Sequence, residues 1–244
     1  MIRLFKIKWL LPLLLLAAFL SSIFFSREIS VLLARFLPNK GVFVERTPLP
    51  QTALQHITLV VAASGLSFVA AIAAAVVTRI QKMQRAKSFL IGAATLGQLV
   101  PTVAVLALLV PVLGYGSKPI LAALFLYGVL PVLRNTLEGL ESLPLDVVES
   151  AKAMGMRPLQ ALFKVELPLV KPAIIAGLRV SVILNISVAT VGAVVGVNSF
   201  GTLIINGIRA DDAVMLIRGA LPVSLLALFV DSLFSAWLNE SAIV

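Results

Sequence analysis

Glu149-Ser150-Ala151-Lys152-Ala153-Met154-Gly155-Met156-Arg157-Pro158, continuing to Val165-Glu166-Leu167-Pro168, is the longest polar interruption in the hydrophobic second half of the chain. It reads as two short helices about a glycine turn. Val147, Val148, Ala151 and Met154 recur at helical spacing on one face, with Asp146, Glu149, Ser150 and Lys152 elsewhere around it. Ser142 offers a capping hydroxyl and Pro144 a first-turn proline. Gly155 follows the last periodic residue, where a left-handed helix stop is commonest. Pro158 opens the second helix, Leu159, Leu162 and Phe163 give it an apolar stripe, and Pro168 ends it. Glu149 and Lys152 stand one turn apart, at ion-pair spacing. An apolar stripe on a polar helix needs burial. It packs either on the chain's own helices or in a groove of another protein.

The chain around this stretch belongs to the membrane class. Of its 244 residues 60% are hydrophobic and 13% charged, and the mean hydropathy is +1.07. Ordinary soluble domains carry about 25% charged residues. There is no cysteine, which excludes disulfides, thiolate metal sites and thiol nucleophiles. A single histidine, His56, argues against a zinc site or a histidine-based triad, and no nucleophile–base set points to an enzyme. The net charge of +9 does not mark a nucleic-acid partner, because the basic residues fall in short segments between apolar runs.

Six apolar runs fit the roughly 20 residues a membrane helix needs. The first, Trp9–Phe25, follows Arg3, Lys6 and Lys8 and reads as an uncleaved anchor with its N-terminus in the cytoplasm. Residues 26–53 form an external loop with a short amphipathic piece at Ile29–Leu37. The second run, Leu54–Thr78, ends at Arg79, Lys82, Arg85 and Lys87, the strongest cytoplasmic signal in the chain. His56 near its start reads as an interfacial residue. The third, Ser88–Leu113, is interrupted by Pro101 and Pro111. Its Gly92–Gly97 spacing resembles a phosphate loop, but Gln98 stands where lysine is required, so no nucleotide site is expected. The others are Pro119–Leu133, Pro172–Val195 and Gly219–Leu238. Gly196–Arg218 is too polar to span and reads as an external or re-entrant segment over a cavity mouth. Both termini fall in the cytoplasm on this count, as does the loop of residues 137–171. Three parts follow: an anchor helix and external loop (1–50), a membrane domain (51–238) and a short tail (239–244).

The motif stretch resembles a known family. Permease subunits of bacterial ABC importers carry E-A-A, three residues, G, nine residues, I, one residue, L-P. This chain has Glu149-Ser150-Ala151, then Gly155, Val165 and Leu167-Pro168, with every spacing kept and Ser and Val substituted. The resemblance covers about Gln51 to Trp237. Gly97–Leu106, Tyr127–Thr136, Pro172–Arg179 and Ala189-Thr190 are similar to the osmoprotectant branch, which imports glycine betaine, choline or carnitine. One departure is Asn198-Ser199-Phe200-Gly201, where that branch often has Gly-Gly-Leu-Gly, so the external gate or the solute preference is expected to differ.

The resemblance implies an all-α, MetI-like permease fold of six membrane helices in the bacterial cytoplasmic (inner) membrane. It implies that Glu149, Ser150, Ala151, Gly155, Val165, Leu167 and Pro168 couple the chain to a cytoplasmic ABC ATPase dimer. ATP and Mg²⁺ then belong to that ATPase and no cofactor to this chain. A second permease, identical or related, and an external substrate-binding protein complete the system. Polar residues at membrane depth usually face a bundle interior or a wet cavity. Arg179 and Asp231 are a candidate intramembrane pair. Gln98, Pro101, Tyr127 and Asn185 are candidates to line the pathway, Tyr127 offering a ring to a quaternary ammonium ion or simply packing. The alternatives are an amino-acid or methionine importer of the same fold, and an ATP-independent channel, which has no reason to keep the spacing of Glu149, Gly155 and Leu167-Pro168.

Overall fold

The computed structural model describes residues 2–37, 48–80 and 84–241, and every regular element among them is helical. Pro38, Lys40, Glu45, Arg46 and Lys82, and residues 242–244, lie outside the described residues. Four unbroken helical runs are long and apolar enough to cross a membrane. They are α3 (Leu49–Ile80), α6 (Ser117–Glu141), α10 (Lys171–Ala189) with its 3₁₀ continuation to Val195, and α12 (Ala213–Ser241). Two further pairs are bent. α1 (Ile2–Phe24) meets α2 (Ser26–Leu33) at 79°, and α4 (Gln84–Leu99) meets α5 (Thr102–Leu113) at 98°. Counting each pair once gives six spans.

α3, α6 and α10 pack on one another as the centre of the molecule. α12 lies on α10, α1 lies on α12, and α4 and α5 lie on α6. Between helices in lipid there is little hydrophobic driving force, so small residues at the crossings let dispersion contacts accumulate. Ala63, Ala71 and Ala75 of α3 and Ala123 of α6 are fully buried there. One end of the bundle carries residues 142–170, the loop end. The far end holds the larger apolar cluster, with Leu59, Val60, Ile120, Leu124, Ile186 and Phe200.

Several boundaries differ from those expected from polarity. α6 continues past Leu133 to Glu141, because a helix needs only its hydrogen-bond ladder, and Arg134 pairs with Glu138 one turn on at 3.2 Å. The loop is therefore shorter, and Ser142 closes α6 instead of capping the next helix, its hydroxyl donating to the Gly139 carbonyl at 2.8 Å. Pro111 lies inside α5 and the break comes at Val100-Pro101. His56 is not interfacial: it is fully buried, with its ring 5.0 Å from that of Phe200.

Residues 196–218 divide into α11 (Phe200–Ala210) and the first turns of α12. Its two acids make that division. Asp211 takes the left-handed conformation, φ 53°, that closes α11, and the Asp212 carboxylate accepts the Met215 N–H at 3.0 Å as the cap of α12.

Candidate functional site

Two places concentrate the residues singled out in the sequence. The first is the loop end. α7 (Leu145–Ala153) stops at Gly155, whose φ of 75° a side chain would resist. The Gly155 N–H donates to Lys152 at 2.9 Å and the Met156 N–H to Ala151 at 3.1 Å, the paired bonds of a Schellman stop. α8 (Pro158–Ala161) runs into a π-helical turn (Leu162–Glu166) and then α9 (Leu167–Leu169). Pro168 does not end the second helix. The helical run continues through it to Leu169, and the chain turns at Val170 before α10.

Only part of the apolar stripe packs on the chain's own helices. Ala151, Ala161 and Leu162 are buried against the chain itself. Leu162 and Val170 join Leu140 in a small core with Val76 and Ile80 of α3 and Ile174 of α10. Leu145, Met154, Leu159 and Phe163 remain exposed, between 53% and 76%. Glu149 and Ser150 are exposed beside them, Val165 and Leu167 are half-buried, and no Glu149–Lys152 ion pair forms among the described residues.

The charges that mark topology in the sequence also stitch this end together. Arg79, at the end of α3, donates through Nε to Glu166 Oε2 at 2.7 Å, and the Glu166 side chain is only 8% exposed. Lys87 of α4 pairs with Glu141 of α6. Arg179 of α10 and Asp231 of α12 come together, with Nε 2.7 Å and the nearer terminal nitrogen 2.6 Å from Oδ1. Lys171 Nζ lies 5.7 Å above the Trp237 ring, a cation–π contact between the start of α10 and the end of α12. Glu166 escaped the sequence reading, although a signal was there. It falls one turn beyond Leu162 on the apolar stripe, and an acid on a buried face requires a partner.

The second place is mid-bundle. Pro131 of α6 has no N–H to give to the Tyr127 carbonyl one turn back. The Gln98 amide supplies the missing donor at 2.7 Å. Tyr127 in turn donates its hydroxyl to the carbonyl of Val100, at the α4–α5 break, where Ala104 bonds instead to Pro101. Each interruption thus repairs the other, the condition under which irregular backbone survives at membrane depth. Tyr127 is buried, Gln98 half-buried, and Val100 and Pro101 are exposed.

Asn185 is fully buried, inside the crossing of α3, α6 and α10. Its amide nitrogen donates to Ser64 Oγ at 2.9 Å, and Ser67 Oγ donates to the Phe125 carbonyl at 3.1 Å. Gly128 of α6 faces this group so closely that a Cβ there would lie 2.6 Å from Ser67 Oγ, 2.8 Å from Ser181 Oγ and 2.9 Å from Asn185 Nδ2. No sequence period tells which neighbour Ser64, Ser67 and Ser181 meet.

At the far end the departure segment has a defined role. Asn198 donates to Thr52 Oγ1 at 3.0 Å and Gln55 Oε1 at 2.8 Å, tying the turn to α3. Phe200 is fully buried and meets Phe19 edge-on at 6.4 Å. An open groove of about 620 Å³ lies alongside, lined by Gln55, Thr58, Leu121 and Asn198 among others.

A bundle of membrane-length helices with a broken span and a helix–glycine–helix loop at one end defines a polytopic membrane protein. Residues 67–238 match the family model described as binding-protein-dependent transport system inner membrane component, and the chain belongs to that family. It is therefore a multi-pass transport subunit, a permease and not an enzyme. Among curated relatives, the osmoprotectant import permease protein OsmW of Salmonella typhimurium is 37% identical over 80% of this chain and 89% of its own. The choline transport system permease protein OpuBB of Bacillus subtilis is 37% identical over 72% of this chain and 81% of its own. The carnitine transport permease protein OpuCB of Listeria monocytogenes is 34% identical over 72% and 80%. Among solved structures, a chain of the inward-facing MetNI methionine ABC transporter matches with a TM-score of 0.69 at 14% identity, covering 79% of this chain and 95% of that one. At that identity the likeness speaks for the fold alone.

Proposed function

We infer that the chain is the permease of an ATP-driven importer for quaternary-ammonium osmoprotectants such as glycine betaine, choline or carnitine. The solute class rests on the relatives, whose printed names include osmoprotectant, choline and carnitine transport. One observation carries the mechanism: the loop is seated on the bundle by Leu162, Val170 and Glu166 while Leu145, Met154, Leu159 and Phe163 stay exposed beside Glu149. A loop anchored on one side, with apolar side chains exposed on another, suits a groove of a second protein. That protein is a cytoplasmic ABC ATPase dimer, which holds the ATP and Mg²⁺. Its closure moves α7, and the bundle exchanges outward-open for inward-open states of different solute affinity.

The loop end then faces the cytoplasm, with both termini, across the bacterial inner membrane, and the far end receives solute from an external binding protein. One chain makes half a pathway, and a second permease, identical or related, makes the rest. The exposed break at Val100-Pro101 lines that pathway, held by Gln98 and Tyr127, whereas Asn185 acts as an internal tie between α10 and α3.

The test is Gly155→Asp. A charged side chain at φ 75° distorts the α7–α8 turn. The variant is expected to reach the membrane in normal amount, to lose solute uptake and to retain less ATPase on purification. Normal uptake with the ATPase fully bound would remove the coupling assignment.

A further inference from the structure

Resting on the reading that an ATPase seats against α7, we propose that Arg79 and Glu166 are the positioning pair through which the loop drives α3. α7 packs chiefly on α8, so its displacement passes along α8, the π turn and α9. This path has a covalent outlet into α10, which begins directly after Val170. It has a second, lateral outlet where Glu166 Oε2 accepts the Arg79 Nε hydrogen at 2.7 Å.

The pair lies beside the small core of Leu140, Leu162 and Val170, on which Val76 and Ile80 of α3 also pack. Apolar contacts of this kind resist separation but are non-directional. A guanidinium–carboxylate bond has fixed geometry and is stronger than a neutral hydrogen bond, so it resists shear as well. The Glu166 side chain is 8% exposed and that of Arg79 32%, which shields the bond from competing water. Glu166 closes the π-helical turn, a geometry that occurs mostly as single turns inside α-helices and frequently at functional sites. Farther along, α3 and α10 are joined by the Ser64–Asn185 hydrogen bond. A loop that moved α10 alone would shear that contact. The Arg79–Glu166 bond makes the two helices move together.

The experiment uses the complete transporter reconstituted with its ATPase, and reads ATP hydrolysed and radiolabelled choline taken up in the same vesicles. Glu166→Gln is expected to leave ATPase association and hydrolysis in place while uptake per ATP falls roughly tenfold, within the range for residues on a coupling path. Exchanging the charges, Arg79→Glu with Glu166→Arg, is expected to recover most of that ratio, which mere loosening of the fold would not allow. An unchanged ratio in Glu166→Gln, or one that the exchange leaves low, overturns the proposal. If Glu166→Gln does not assemble, the exchange alone decides: a near-normal ratio supports the pair and idle hydrolysis overturns it. A wild-type chain that fails to co-purify with the ATPase sinks the underlying docking reading, before any variant is compared.

Discussion

Gly128 and Asn185 show how a few atoms set the approach of three helices. Three polar atoms from α3 and α10 converge within 2.9 Å of the point where a Gly128 side chain would begin, so α6 fits there only as glycine. Gly128→Val is expected to cost about 1–3 kcal/mol by overpacking, read as earlier thermal unfolding of the purified chain. Asn185→Ala removes a single interhelical bond and is expected to cost about 0.6–2 kcal/mol. A larger loss for Asn185→Ala than for Gly128→Val would contradict this view of the crossing. In the sequence Asn185 was visible as an anomaly, because polarity inside an apolar run is conspicuous. Gly128 was not, because glycine is common in membrane helices and only the third dimension shows what it avoids.

At the scale of elements, the broken span α4–α5 and the proline-bearing α6 depend on each other. Gln98→Leu leaves the Tyr127 carbonyl without a donor, because Pro131 cannot provide one, and an unsatisfied buried acceptor costs about 1–3 kcal/mol. Adding Pro131→Ala restores the backbone N–H and is expected to recover most of that loss. Simple addition of the two effects in a denaturation series would show that Gln98 does not act on the proline gap. The six apolar runs were legible as helices because hydropathy alone commits such segments. Their ends were not. α6 outlasts its apolar stretch by two turns, α12 starts six residues before Gly219, and Pro168 continues a helix it was expected to end. Polarity marks where a bilayer stops, whereas caps and ladders mark where a helix stops.

The whole molecule leaves much apolar surface that it does not use internally. Leu96, Leu99, Val103, Leu108 and Val112 of the broken span are exposed, as are Leu54, Val61 and Val69 of α3. Such apolar surface suits lipid. The loop end is the reverse case, with Arg79–Glu166, Lys87–Glu141 and Arg179–Asp231 joining separate helices. The spacing of Glu149, Gly155 and Leu167-Pro168 was enough to anticipate the family, and the family match over residues 67–238 agrees with it. The internal seat of that loop required the structure, because its salt bridge links residues 87 positions apart.

This chain is expected to move solute only when an ATPase drives it through the loop. Uptake of radiolabelled glycine betaine into proteoliposomes carrying the chain, its ATPase, a partner permease and the binding protein measures this directly. Uptake is expected to require ATP and to fall to background when the ATPase is omitted. Glycine betaine entering at an undiminished rate without ATPase or ATP would contradict ATPase-driven import.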